Sequence, residues 1–171
     1  MIRLIEPTEQ YLASYIEACE EYKKNKVTTY TFTDYHNRDI FQYYDDCRND
    51  RNIPINWVGS HYFWLVDDER DYFIGQISVR HKLTEALKMR GGHIGYGVRF
   101  CEWNKGYATY MLREALKEAK KIGLTKILLT CNDDNFASAR VMEKNGFAME
   151  DKVKNVVDGK TILTRRYWKN I

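Results

Sequence analysis

From Gly106 onward the apolar residues fall at Ala108, Met111, Leu112, Ala115, Leu116, Ala119 and Ile122, in steps of three and four. That spacing predicts one long amphipathic helix, ended by Gly123. The segments on either side follow a different pattern. His93–Arg99 reads as a strand after the Gly91-Gly92 turn. Lys126–Cys131 reads as a buried strand, with Ile127-Leu128-Leu129 apolar on both faces as in the centre of a sheet. A helix held between two strands commits the chain to a layered α/β sheet.

The remaining punctuation agrees. Arg3–Glu6 is a short strand, and Pro7 stands near the start of a helix reaching about Lys24. Thr28–Phe32 is irregular or extended, and a second helix covers Asp39–Cys47. His61–Val66 and Tyr72–Arg80 alternate as strands, joined by Asp67-Asp68-Glu69-Arg70. Asn135–Asn145 is a helix with Gly146 as its left-handed cap. Ala148–Val157 and Lys160–Trp168 form a hairpin through Asp158-Gly159. At 171 residues the chain is expected to be one domain, 1–171, with a mixed α/β sheet. No apolar run approaches the ~20 residues of a membrane span. The start, Met1-Ile2-Arg3-Leu4-Ile5-Glu6, lacks a signal peptide's apolar region, so the cytoplasm is the expected compartment.

Charge excludes little by itself. The net is +3, but residues 1–100 carry 13 Lys and Arg against 15 Asp and Glu, and the rest 14 against 9. An acidic front and a basic back could hold a cationic substrate and an anionic cofactor, though scattered solvated surface charge is the simpler reading of the numbers alone. The four cysteines, Cys19, Cys47, Cys101 and Cys131, form no C-x-x-C pair, and the four histidines have no ligand spacing, so no metal site is expected.

The chemical signal is the strand-to-helix junction GYGVRFCEWNKGYATYMLREAL. Its loop contains Lys105 and Gly106, and the first helical N–H groups have no partner within the helix. Those donors and the helix dipole suit a pyrophosphate, and an ordinary βα turn with no ligand fits the same residues equally well. The Walker pattern is absent, and Phe100 stands where the dinucleotide fingerprint of Gly95-Tyr96-Gly97 would need glycine.

The stretch Gly95–Thr109, followed by LLTCNDDNFASARVMEKNGF at Leu128–Phe147 and RRYW at Arg165–Trp168, resembles the GNAT superfamily of acyl-CoA-dependent N-acetyltransferases. The likeness is closer still to a bacterial subgroup of predicted acetyltransferases. It implies a mostly antiparallel sheet splayed between its fourth and fifth strands, with acetyl-CoA as cosubstrate. The cofactor's arm would pair with the fourth strand at Tyr96, Gly97, Val98 and Arg99. The family's phosphate loop, Q/R-x-x-G-x-G/A, falls on Trp103-Asn104-Lys105-Gly106-Tyr107-Ala108, with Trp103 in place of Gln or Arg. Asn104, Lys105, Gly106, Tyr107, Ala108 and Thr109 would then hold phosphate. Asn135 matches the asparagine that contacts the arm, with Ser138 one turn on; Asn135 is equally a good helix N-cap.

Many members place a Glu on the fourth strand as base, and none stands there in this chain. His93 is the one group in that segment that titrates near neutrality, so it is the candidate base, with a plain strand histidine as the alternative. Glu102 is second, in a loop where a solvated carboxylate is expected. The family's acid is a Tyr seven residues after the conserved Asn, and here that position is Met142. Tyr96 and Tyr107 are the nearby alternatives. Neither Cys101 nor Cys131 has a base beside it in sequence, so direct transfer to a small-molecule or peptide amine is expected.

The first two helices and the loop at His81–Gly92 would shape the acceptor pocket. Glu17, Glu20, Glu21, Asp34, Asp39, Asp45 and Asp46 could draw a polyamine, an aminoglycoside or a peptide N-terminus. Tyr30, Phe32, Tyr35, Tyr43 and Tyr44 could line that pocket or fill the core. Two other readings stand beside the enzyme. One is a non-catalytic acyl-CoA sensor. The other is a module that binds nucleic acid or protein through the basic half, ranked last because acids interrupt its cations. No nucleic acid or membrane is expected as partner, and homodimers are common in the resembled fold.

Overall fold

The computed structural model describes residues 1–171. Its backbone forms two antiparallel sheets that meet without a shared ladder. The first runs β1 (Ile2–Ile5), β2 (Ser60–Asp67), β3 (Tyr72–Arg80), β4 (Ile94–Val98) in spatial order. The second has β5 (Lys126–Asn132) at one edge, then β7 (Lys160–Asn170), then β6 (Ala148–Val157). β5 is therefore not central in its ladder, as its apolar run suggested. Its inner residues are buried because its unpaired edge faces β4 rather than water.

Helices close both faces. α1 (Leu12–Lys24) and α2 (Ile40–Arg48) cover one face of the first sheet, and Asp39 caps α2 by accepting from the Phe41 and Gln42 amides. This side holds an aromatic core of Tyr11, Tyr15, Tyr22, Phe32, Tyr44, Trp64 and Phe73. Tyr15 stacks on Trp64 with centroids 4.6 Å apart. Buried phenols need partners. They have them, because Tyr15 donates to the Thr33 carbonyl, Tyr22 to the Val98 carbonyl and Tyr44 to Gln76 Oε1. A short α3 (Glu85–Met89), capped by Thr84, interrupts the segment read as the His81–Gly92 loop.

On the opposite face lie α4 (Tyr107–Lys121) and α5 (Phe136–Lys144). Met111, Leu112, Ala115 and Ala119 form the buried stripe of α4, packing with Ile77, Val79, Ile127 and Leu129 from both sheets. α4 is thus the apolar bridge between the two halves. Leu112→Ala should lower unfolding free energy by about 2–5 kcal/mol, read from urea denaturation, with both sheets lost in one transition. Separate transitions would contradict the bridge.

Candidate functional site

β4 and β5 touch at one end and separate toward the other. At the contact, Gly92 has φ +63, and a Cβ there would overlap the Leu128 carbonyl. The His93 amide donates to that carbonyl at 2.8 Å, and the Leu128 amide donates to His93 Nδ1 at 2.9 Å. The Gly91 amide donates to Thr130 Oγ1 at 2.8 Å. Beyond this junction no ladder joins the strands, and a gap opens along β4.

The candidate base is therefore occupied. A ring nitrogen that accepts from an amide carries no proton, and His93 is buried, 6% exposed. Burial, then the Arg80 guanidinium, push its imidazole down to about 4. His93 fastens the sheets rather than titrating near neutrality.

The Arg80 amide donates to the His93 carbonyl, and the Arg99 amide to the Ile74 carbonyl. With antiparallel alternation, Gly95, Gly97 and Arg99 turn their main-chain groups toward β3, as does the His93 carbonyl, while Ile94, Tyr96 and Val98 turn theirs toward the gap. Gly97, expected to touch an arm in the gap, faces β3 instead. Arg99 departs from expectation in the same way. Its main chain binds β3, and its buried guanidinium reaches Glu21 at 2.6 Å, Glu17 at 3.1 Å and Ser14 Oγ at 3.0 Å on α1. The Val98 carbonyl is also taken, by Tyr22 Oη and by Trp103 Nε1 at 2.8 Å. The main-chain groups of Tyr96 and the amide of Val98 are left for the gap.

At the open end the chain turns into α4 with Asn104 at φ 62 and Gly106 at φ 84, both left-handed. No side chain caps this helix, so the amides of Tyr107, Ala108 and Thr109 are free. Trp103 leaves them open, because its ring packs on Phe100 with centroids 4.8 Å apart. Glu102 is buried rather than solvated. It holds Lys105 Nζ at 2.9 Å, with Arg70 at 3.9 Å.

Across the gap, Asn135 caps α5 by accepting from the Ser138 amide. Its amide NH₂ stays free. Tyr96 Oη lies 2.7 Å from Ser138 Oγ, and burial raises its pKa. Met142, in the position where an acid was sought, is core. It lies one turn past Ser138 on the same face of α5, so the β4 phenol comes to that face instead. Burial pushes the Cys131 thiol up to about 11, which leaves little thiolate at neutral pH.

On the other face of β4, Gly95 and Gly97 have no side chains and Tyr30 packs over them. A cavity of about 280 Å³ lies there, with Gln76, Ser78, Arg80 and Gly95 on its floor. Tyr30, Asp34, Arg38, Tyr43, Trp57 and Tyr62 form its walls and rim. Of the acids singled out in the sequence, only Asp34 reaches it. Glu17 and Glu21 hold Arg99, Asp39 caps α2, and Asp45 and Asp46 pair with Arg51. The aromatics divide too: Tyr30 and Tyr43 line the cavity, Phe32 and Tyr44 are core, and Tyr35 donates to Glu20.

Residues 2–148 match the acetyltransferase (GNAT) domain family, so the chain belongs to the GNAT acetyltransferases. Solved structures share the fold. The microcin C7 self-immunity acetyltransferase MccE, in complex with acetyl-CoA and AMP, superposes with TM-score 0.73 at 18% identity, covering 99% of this chain and 92% of that one. The ribosomal L7/L12 α-N-protein acetyltransferase RimL, in complex with coenzyme A, gives 0.72 at 16%, covering 99% and 94%. The ribosomal-protein-S5-alanine acetyltransferase from Vibrio fischeri gives 0.69 at 18%, covering 99% and 91%. No curated protein matches by sequence.

The junction has a pH signature. Between about pH 6.5 and 4 the unfolded chain takes up a proton at His93 that the folded chain refuses. Its stabilising contribution is full above this window and falls as pH drops through it, by about 1.4 kcal/mol per unit at most. His93→Gln should be less stable at pH 7, and its deficit should shrink toward pH 4.5 in urea titrations. A constant deficit would show that His93 is not held neutral.

Proposed function

We propose that this acetyltransferase moves an acetyl group from acetyl-CoA directly to a primary amine of a small molecule or peptide, which enters through the cavity at Gly95. The observation that carries the reading is that the free edge of β4 and the uncapped start of α4 adjoin the same gap. Free amides at a helix start suit a pyrophosphate. The amides of Tyr107, Ala108 and Thr109, with the loop Asn104-Lys105-Gly106, would take that group. Tyr96 and Val98 would offer main-chain bonds to the pantetheine arm, and the Asn135 amide and Ser138 hydroxyl would meet it from α5.

The amine nitrogen attacks the thioester carbonyl carbon. The C–N bond forms, the C–S bond breaks, and coenzyme A leaves as thiolate. At pH 7 only about one in a thousand alkylamines is neutral. The ammonium proton therefore leaves to solvent at the cavity mouth, where Asp34 is the carboxylate on the lining, and the second nitrogen proton follows it as the C–N bond forms. Tyr96 stays protonated at neutral pH and donates a hydrogen bond to the departing sulfur, and the thiolate takes its proton from solvent. Because a thiol's pKa is only ~8.5, this help is modest, and Tyr96→Phe should lower kcat by about tenfold, read by thiol release.

Thermal unfolding with acetyl-CoA, ATP and NAD in parallel tests the cosubstrate. Ligand at 100 times its Kd adds about 2.7 kcal/mol, several degrees for a domain of this size. Acetyl-CoA should give that shift while ATP and NAD do not. Equal shifts, or none, would contradict the reading. Intersecting initial-rate lines are expected with two substrates, and parallel lines would show an acyl-enzyme instead.

A further inference from the structure

Arginine is seldom buried unless paired, and this chain pairs most of its arginines. Arg3, Arg48, Arg51, Arg70, Arg99, Arg113, Arg165 and Arg166 each lie within 4.0 Å of a carboxylate. Four do not, and two of these four, Arg38 and Arg80, line the cavity at Gly95. Arg80 projects from the end of β3 on the cavity face. Its Nη1 donates to the carbonyls of Gly91 and Gly92 at 3.3 and 3.0 Å, which fixes the guanidinium beside β4. Its Nη2 comes within 4.0 Å of the Cβ position at Gly95. A guanidinium has five N–H donors, so Nε and both Nη2 hydrogens have no protein partner. Arg38 lies at the rim, its guanidinium carbon 4.6 Å from the Tyr43 ring centroid, with no carboxylate within bonding range.

The one acid on the cavity does not offset them. The Asp34 carboxylate is exposed and accepts from the His36 amide and from Asn37 Nδ2. The rest of the wall is neutral: Tyr30, Tyr43, Tyr62 and Trp57, with Gln76 and Ser78 on the floor. Two cations against one acid make this cavity a poor match for a polyamine. A fixed, partly desolvated guanidinium with an unfilled fork is suited to carboxylate or phosphate.

We propose that the amine acceptor itself carries an oxyanion, a carboxylate or a phosphate, which Arg80 binds at the floor of the cavity and Arg38 steers in from the rim. This rests on the acetyl transfer proposed above. It narrows the acceptor to amino-acid-like or phosphorylated amines and makes Arg80 a specificity residue. The bound anion would turn its amine toward the edge of β4, where Gly95 has no side chain to obstruct it.

The test is a thiol-release assay on the full chain with acetyl-CoA and matched amine pairs. The carboxylate arm compares the L-amino acids with their amides. The phosphate arm compares O-phosphoethanolamine with ethanolamine and glucosamine 6-phosphate with glucosamine. Spermidine serves as the polycation. The charged member of at least one pair should have kcat/KM at least tenfold above its uncharged counterpart, and the arm in which it falls identifies the oxyanion. Arg80→Gln should raise KM for that substrate at least tenfold, and the rim variant Arg38→Gln should raise it less. Both should keep the wild-type Kd for acetyl-CoA in calorimetry, which also shows that they fold. Equal rates within every pair, a preference for spermidine or for uncharged amines, or no acetylation of any charged member by a protein that binds acetyl-CoA would overturn the proposal. A protein that binds no acetyl-CoA would remove the acetyl-transfer reading as well, so calorimetry separates the two failures.

Discussion

Two hydrogen bonds between His93 and Leu128 decide the architecture of the site. They join the sheets at one end only, and Gly92 lets the backbones come close enough to form them. With the strands held there and unpaired beyond, β4 keeps a free edge that an ordinary continuous sheet would have closed. A bare strand edge is normally a liability, because unpaired amides and carbonyls invite other strands. Here the edge faces inward, toward β5 and α5, and is available to a ligand that can itself make main-chain-like hydrogen bonds.

The second constraint is the division of labour between the two faces of β4. Ile94, Tyr96 and Val98 point toward α4 and α5, where the long apolar helix supplies the core and its uncapped start supplies free amides. Gly95 and Gly97 face the opposite way, toward Tyr30 and the cavity. Neither glycine has a positive φ, so what they contribute is space rather than turn geometry. In the transfer we propose, a cosubstrate on one side and an acceptor on the other would meet at the strand edge without competing for the same surface. The buried Arg99 and its two glutamates hold α1 against the end of β4, which fixes the cavity side of that strand.

Much of this was legible in the chain. The 3.6-residue period announced α4, Asn135 and Gly146 bracketed α5, and Asp158-Gly159 announced the last hairpin, because caps and turns are local chemistry. The Asn135 cap and the glycine start of α4 follow from the same signals. Long-range placement was harder to read. His93 looked like a base because its titration range is a property of the free side chain, whereas its burial and its bond to Leu128 depend on a strand 35 residues away. Glu102 and Arg99 were misjudged for a similar reason: their partners Arg70, Glu17 and Glu21 come from other elements. The cavity at Gly95 draws on residues from 30 to 95, so no local pattern could have shown that Arg38 and Arg80 would share it while most of the acids would not.

In the reading proposed, the gap beside β4 and the start of α4 form one binding surface for an acyl-CoA. Amide hydrogen exchange with and without acetyl-CoA examines it most directly, because the groups in question are amides. New protection is expected at Tyr96 and Val98 and across Tyr107–Thr109, with the far hairpin, Ala148–Asn170, unchanged. Protection confined to other segments, or none at saturating ligand, would contradict it.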